Sequence, residues 1–210
     1  LAKGYLTRVG VYMGIVGVAN VPLESDYAAA QKVFQERVPR KKAIPDDLPR
    51  TDECFENPYG PECAWENGRV IGKIELETLL APKVNRKARK EVVDAYKRMK
   101  RAYERDNPGK TLTVNSGFRS FPEQEKVRQK WIKEGDPSKA AKAGFSKHQN
   151  GIAIDIKTDA AEPPDKMTEV YKWLSSNAPS FGFVRTIRSE AWHWVYYGPQ
   201  EAQKRIPSWQ

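Results

Sequence analysis

The two histidines of this chain each stand near a carboxylate. The 210 residues include only His148 and His193; Asp155 follows the first histidine, and Glu190 precedes the second by three positions. A catalytic zinc ion takes three protein ligands and leaves a fourth position for water, and two neutral imidazoles with one carboxylate form such a set. The spacing therefore predicts a metal site of His148, Asp155 and His193. Glu190 lies near enough in sequence to reach a metal-bound water without being a ligand.

Each of these residues also has an ordinary structural interpretation. A lone histidine is usually a structural or surface residue, and an aspartate after a turn is usually a cap. Asp155, however, falls on the polar face of a short segment otherwise built from isoleucine. A carboxylate buried there must be paired or bind a metal, because an isolated buried charge is very unfavourable. Spacing alone leaves both interpretations open.

Apolar periodicity predicts the elements that position this set. Strands are expected at Thr111–Ser116, Gly151–Ile156 and Ala191–Tyr197, and helices at Lys83–Asp106, from Ser120 onwards and at Asp165–Asn177. The first helix carries one apolar stripe of Val92, Tyr96, Met99 and Tyr103. The second begins at an S-x-x-E capping box. Helices and strands mix without a regular β-α-β alternation, which indicates an α+β fold.

Three motifs follow one another in the C-terminal half of the chain. They are S-G-F-R-S at residues 116–120, S-x-H-x-x-G-x-A-x-D at 146–155 and E-x-W-H-W at 190–194. Together they resemble the D-alanyl-D-alanine carboxypeptidase family, the zinc peptidases of the vancomycin-resistance type, over about residues 111–198. The resemblance implies a small central antiparallel sheet with flanking helices, a zinc-domain fold shared with the hedgehog signalling domain. It also implies one Zn²⁺ per chain.

The resemblance carries roles for individual residues. It implies His148, Asp155 and His193 as zinc ligands, Glu190 as the catalytic base, and Arg119 as the group that polarises the scissile carbonyl. Family positions near the substrate fall on Ser116, Gln124 and Ser146. The implied substrates are stem or cross-bridge peptides of peptidoglycan, cut as a D-Ala-D-Ala carboxypeptidase or as a D,D- or L,D-endopeptidase.

The two cysteines, Cys54 and Cys63, enclose a short loop. Pro58, Gly60 and Pro61 lie between them and favour a turn that brings the sulfurs together. We expect a disulfide, which indicates an oxidising compartment or an exported protein. Two free thiols are the alternative. A structural zinc site is disfavoured because no histidine or further cysteine lies nearby to complete four ligands.

The chain is strongly basic, with a formal net charge of +9. Such a charge attracts polyanions, and nucleic acid, anionic lipid and an anionic bacterial cell wall all qualify. The basic run at residues 39–49 has no interleaved aromatic residues, so a solvated linker is favoured over a nucleic-acid site. We therefore predict contact with an anionic cell wall surface and no nucleic acid partner.

Residues 1–75 lie outside the resemblance. We expect them to form an N-terminal accessory or anchoring segment, with the zinc peptidase domain at residues 76–210. The apolar stretch at residues 9–19 is either a packed strand or assembly contact, or a retained export or anchor signal. The predicted location is extracytoplasmic, whether periplasmic, secreted or associated with the cell wall, or a phage virion.

Two alternative functions remain. One is a phage virion-associated or lysis endopeptidase, attached to the phage particle through residues 1–75. The other is a non-catalytic, hedgehog-like zinc-binding module, which would not need Glu190 or Arg119.

Overall fold

A computed structural model describes residues 52–79, 86–158 and 168–209 of the chain, which belong to one compact unit beginning at Asp52. The predictions made for residues 1–51, including the apolar stretch at 9–19, lie outside these residues. The predicted division at residue 75 stays a prediction. Within the described ranges no helix is long and apolar enough to cross a membrane.

The described chain mixes short strands with helices, as an α+β fold requires. The helices are α1 (Glu53–Glu56), α2 (Lys90–Asp106), α3 (Phe121–Lys133), α4 (Glu169–Asn177) and α5 (Pro199–Lys204). The strands are β1 (Cys63–Glu66), β2 (Arg69–Lys73), β3 (Leu76–Thr78), β4 (Lys87–Arg89), β5 (Val114–Ser116), β6 (Ala153–Ile156), β7 (Phe183–Arg185) and β8 (His193–Tyr196).

A four-stranded antiparallel sheet forms the centre, in the order β5-β6-β8-β7. Its two faces differ, because successive side chains of a strand point to opposite sides. Ile154 and Ile156 are fully buried in the main hydrophobic core together with Trp194. Asp155 and His193, which alternate with these residues, lie on the other face. The predicted small central sheet is confirmed.

Helix α2 supplies the largest part of the core beneath the sheet. The four residues of its predicted stripe are completely buried, and the hydroxyl of Tyr96 donates a hydrogen bond to the carbonyl of Leu112 at 2.9 Å. This bond satisfies the Tyr96 hydroxyl inside the core. The prediction of a helix from residue 83 was wrong at its start. Lys87–Arg89 instead form β4 and pair with β3, with Ala88 fully buried, so α2 begins at Lys90.

A disulfide-linked hairpin precedes the main sheet. Cys54 and Cys63 are bonded, with their Cα atoms 5.4 Å apart, so the predicted disulfide is confirmed. Strands β1 and β2 pair across a two-residue turn, Asn67-Gly68, with φ values of 50° and 78°. Two successive positive φ values define the hairpin turn that Asn-Gly favours. Residues 52–73, which comprise α1, β1 and β2, are called the hairpin.

Candidate metal centre and active site

Strand pairing brings two of the predicted ligands together. Asp155 of β6 lies directly opposite His193 of β8, and Ser116 of β5 lies opposite Asp155 on its other side. Side chains of directly opposed residues project from the same face of a sheet. The three motifs of the sequence therefore meet on one face because three adjacent strands present them side by side.

The third predicted ligand comes from a turn rather than a strand. His148 is buried, and its Nδ1 lies 2.7 Å from the carbonyl oxygen of Gly117. A carbonyl can only accept a hydrogen bond, so Nδ1 donates and Nε2 keeps its lone pair. The backbone of His148 is held as well, since its carbonyl accepts hydrogen bonds from the N–H groups of Arg119 and Gly151.

Three potential ligand atoms converge at this point. His148 Nε2 is 3.2 Å from His193 Nδ1 and 3.3 Å from Asp155 Oδ1, and the last two atoms are 3.2 Å apart. For ligands about 2.0–2.1 Å from a tetrahedral zinc ion, geometry requires separations of about 3.3–3.4 Å. The triangle of atoms therefore fits the face of a tetrahedral site, and the donor set suits zinc. Bonding of the remaining His148 nitrogen to a carbonyl is the usual support of a metal-binding imidazole.

The protonation states also suit a metal. Burial lowers the pKa of His148, although the Asp155 carboxylate opposes this effect. Burial alone would raise the pKa of Asp155, but the charges and hydrogen bonds of His148 and His193 outweigh it and hold that pKa well below its usual range. At neutral pH the cluster therefore offers a neutral imidazole and an ionised carboxylate, the forms that bind metals.

Arg119 places a positive charge beside the cluster. One of its terminal nitrogens is 3.5 Å from Asp155 Oδ2, and the other donates to Gln124 Oε1 at 2.9 Å. Gln124 is almost completely buried on α3, and its amide nitrogen donates to the carbonyl of Ala141. Gln124 thus holds the guanidinium in place. Contact of Gln124 with substrate stays a prediction.

Glu190 lies at the edge of the same cluster. Its Oε2 is 4.0 Å from His193 Nδ1, and its side chain is 22% exposed. The turn that ends in β8 fixes this placement, because the N–H of His193 donates to the carbonyl of Glu190. The carboxylate therefore stands next to the ligand atoms and is partly open to solvent, where it can exchange a proton with a bound water.

The two serines differ in their surroundings. Ser116 is half-buried and lies on the sheet face beside Asp155. Ser146 is buried, and its hydroxyl accepts a hydrogen bond from the N–H of His148 at 3.3 Å, which shapes the turn. A substrate role for either serine stays a prediction.

Sequence reasoning missed Gly117, which orients His148. A Cβ atom at this position would lie 2.2 Å from the carbonyl oxygen of Lys87 and 3.1 Å from the side chain of Leu79. Only glycine lets β4 approach so closely. The sequence does contain a signal for this residue, because Gly117 is the glycine of the S-G-F-R-S motif and lies two positions before Arg119, which contacts the site.

Asp155 and His193 on a small antiparallel sheet, His148 on an adjoining turn and Glu190 beside them form a site of the metallopeptidase class. The sequence profile of the VanY family, described as D-alanyl-D-alanine carboxypeptidase, matches residues 85–199. The chain belongs to this family.

One curated relative is a D-alanyl-D-alanine carboxypeptidase of Enterococcus faecalis. It is 32% identical where it aligns, covering 43% of this chain and 42% of the relative. The chain thus spans less than half the length of this relative.

Solved structures show the same fold. The LdcB LD-carboxypeptidase is similar with a TM-score of 0.51 and 28% identity, covering 62% of this chain and 69% of that chain. VanYB in complex with D-alanine-D-alanine has a TM-score of 0.54 and 24% identity, covering 67% and 88% of the two chains. A mutant of the vancomycin-resistance D,D-pentapeptidase VanY in complex with Zn(II) has a TM-score of 0.52 and 24% identity, covering 67% and 90%.

Proposed function

We propose that the protein is a zinc-dependent peptidase that hydrolyses peptidoglycan peptides, as a D-Ala-D-Ala carboxypeptidase or as a D,D- or L,D-endopeptidase. The observation that carries this proposal is the convergence of His148 Nε2, Asp155 Oδ1 and His193 Nδ1, with the Glu190 carboxylate beside them. Membership of the VanY family supports the peptidase chemistry, and the VanYB complex with D-alanine-D-alanine supports the substrate class.

Metal binding and proton transfer are assigned to different residues. His148, Asp155 and His193 would hold the metal, which when bound supplies an activated water and a Lewis acid for the scissile carbonyl. Glu190 accepts a proton from the water while the water oxygen attacks the amide carbon. The same carboxyl group then gives this proton to the leaving amine nitrogen, so that the protons balance over the cycle.

Arg119 serves the oxygen of the scissile carbonyl. Negative charge develops on this oxygen during attack, and a fixed donor aimed at such a charge contributes about 3–4 kcal/mol in comparable acyl-transfer sites. The guanidinium is cationic, only 17% exposed and braced by Gln124, so little reorganisation is needed during the reaction. A module that only binds zinc would have no use for this arrangement.

We also propose an extracytoplasmic location and contact with an anionic cell wall surface. The Cys54–Cys63 disulfide supports the first, because such bonds persist in oxidising compartments. The net charge of +9 supports the second.

Purified muropeptides test the proposed function. The zinc-loaded protein is incubated with pentapeptide stems, tetrapeptide stems and cross-linked dimers, and the products are identified by mass spectrometry. Loss of a single terminal alanine identifies a carboxypeptidase, whereas conversion of dimers into monomers identifies an endopeptidase. The Glu190→Gln variant is the control for contaminating hydrolases. If none of the three substrates is cleaved above this control, the proposal fails.

A further inference from the structure

One carboxylate of the hairpin binds both sides of the turn that carries His148. Glu66, at the end of β1, accepts hydrogen bonds at a single oxygen, Oε1, from Lys147 Nζ at 3.1 Å and from Asn150 Nδ2 at 3.0 Å. These two donors flank His148 in the sequence. Glu66 itself lies outside residues 85–199, the part of the chain that the family profile covers.

Asn150 is held from its other side by Arg89. The guanidinium donates from Nε to the backbone carbonyl of Asn150 at 2.6 Å and from a terminal nitrogen to its side-chain oxygen at 2.7 Å. Asn150 is 8% exposed, so these bonds are shielded from water. Its side-chain amide is therefore fixed at both ends, with the hairpin on one side and the end of β4 on the other.

The backbone of the hairpin is also hydrogen-bonded to the segment that carries His148. The N–H of Trp65 donates to the carbonyl of Gln149 at 3.0 Å, and the N–H of Gly68 donates to the carbonyl of Gly144 at 2.9 Å. The approach is close: a Cβ on Gly144 would lie 3.2 Å from the Cα of Gly68 and 3.3 Å from the ring of Trp65. The segment 144–150 is thus bonded to the hairpin near both of its ends, with His148 between the bonded positions.

We propose that Glu66 is a positioning residue for the metal ligand His148, so that the hairpin completes the metal centre. This inference rests on the proposed function, since it assigns a role toward the metal. The ring of His148 reaches its place through a turn that has no regular secondary structure of its own. Groups that hold a ligand in place contribute to metal affinity because a looser ligand must be ordered when the metal binds. Glu66 holds the His148 turn mainly through its hydrogen bond from Asn150. Its ion pair with Lys147 is more exposed to solvent and contributes less to holding the turn.

Zinc affinity of the full chain tests the role. The dissociation constant for Zn²⁺ is measured by competition with a chromophoric chelator, at a temperature where circular dichroism shows every variant folded. We expect Glu66→Ala to weaken zinc binding about tenfold, at the lower end of the range for groups that support ligands. Glu66→Gln keeps an oxygen that accepts from Asn150, so it should stay within about twofold of wild type. Glu53→Ala is the matched control, because Glu53 also lies in the hairpin and its side chain pairs with exposed Lys73; it should leave the affinity unchanged.

Each other outcome overturns the role. Wild-type affinity in Glu66→Ala would show that Glu66 does not position the ligand. Equal weakening by Glu66→Gln would assign the effect to charge rather than to positioning, and equal weakening by Glu53→Ala would assign it to general stability of the hairpin. Failure of the wild-type protein itself to bind zinc would instead overturn the proposed function.

Discussion

A single backbone carbonyl decides how His148 faces the metal centre. The bond to Gly117 places the proton of the neutral ring on Nδ1 and leaves Nε2 unprotonated toward His193 and Asp155. The other side chains at this centre are fixed by equally specific contacts, as Arg119 is by Gln124. Glu190 stands beside the ligand atoms, with its Oε2 4.0 Å from His193 Nδ1 and 22% of its side chain exposed. Binding and proton transfer should therefore be separable at the level of residues.

Glu190→Gln should retain zinc and fold yet lose most of its activity. The amide cannot accept a proton from the attacking water, and loss of a general base costs about 10²–10⁴-fold in turnover. Elemental analysis gives the zinc content, and kcat is measured on the muropeptide that the wild type cleaves. Glu201→Gln, which removes a comparable charge on exposed α5, should keep normal turnover. Near-normal turnover in Glu190→Gln would point to a different base.

Strand register explains how residues far apart in sequence form one site. Ser116, Asp155 and His193 lie side by side because β5, β6 and β8 are neighbours in one antiparallel sheet. Strand β4 lies against the segment that follows β5, where the Phe118 N–H donates to the Lys87 carbonyl at 2.6 Å. At Gly117, which precedes Phe118, the packing of β4 and the orientation of His148 depend on the same residue.

Gly117→Ala should therefore damage both stability and metal affinity. The added methyl group would force β4 away from residue 117, and such overpacking costs about 1–3 kcal/mol. The same shift would move the carbonyl that orients His148. Chemical denaturation measures the first effect, and the dissociation constant for zinc measures the second.

Gly109→Ala is the matched control for this substitution. Its Cβ would contact nothing within 4 Å, and only its φ of +79° opposes the change. It should therefore lower the free energy of unfolding by about 1 kcal/mol without altering zinc affinity. If Gly117→Ala binds zinc as tightly as Gly109→Ala does, the Gly117 carbonyl does not orient the ligand.

The sequence predicted helices and strands best where a single local periodicity determines which side chains are buried. The stripe of α2 follows helical periodicity, and the alternation at Ile154, Asp155 and Ile156 follows the strand period of two, so both were confirmed. Strand β4 was missed because its three residues are set by pairing with β3, which no local pattern reveals. The contacts of Glu66 with Lys147 and Asn150 join residues more than 80 positions apart. Such contacts follow from tertiary packing and could not be inferred from spacing.

At the scale of the whole molecule, the described part of the chain extends beyond the residues that the family profile matches. The profile begins at residue 85, whereas the compact unit begins at Asp52 and includes the disulfide-linked hairpin. The disulfide closes a loop with a sequence separation of 9 residues. Both of its cysteines are buried, beside β1 residues whose backbone reaches the His148 turn.

Removal of the disulfide should lower the stability of the folded protein. Loop-closure entropy gives a loss of about 2–3 kcal/mol for a loop of this length. Denaturant unfolding of the wild type is compared with that of the Cys54→Ala/Cys63→Ala variant, each with and without a reductant. The wild type should lose stability when reduced, and the double variant should not respond. An equally stable variant would show that the hairpin is held by its packing alone.

The zinc content of wild-type and His193→Ala protein tests the central claim most directly. After purification, incubation with zinc and removal of loosely bound metal, elemental analysis should find one zinc per chain in the wild type. The variant should hold almost none, because only two of the three converging ligand atoms remain. Full zinc occupancy in His193→Ala would contradict the account.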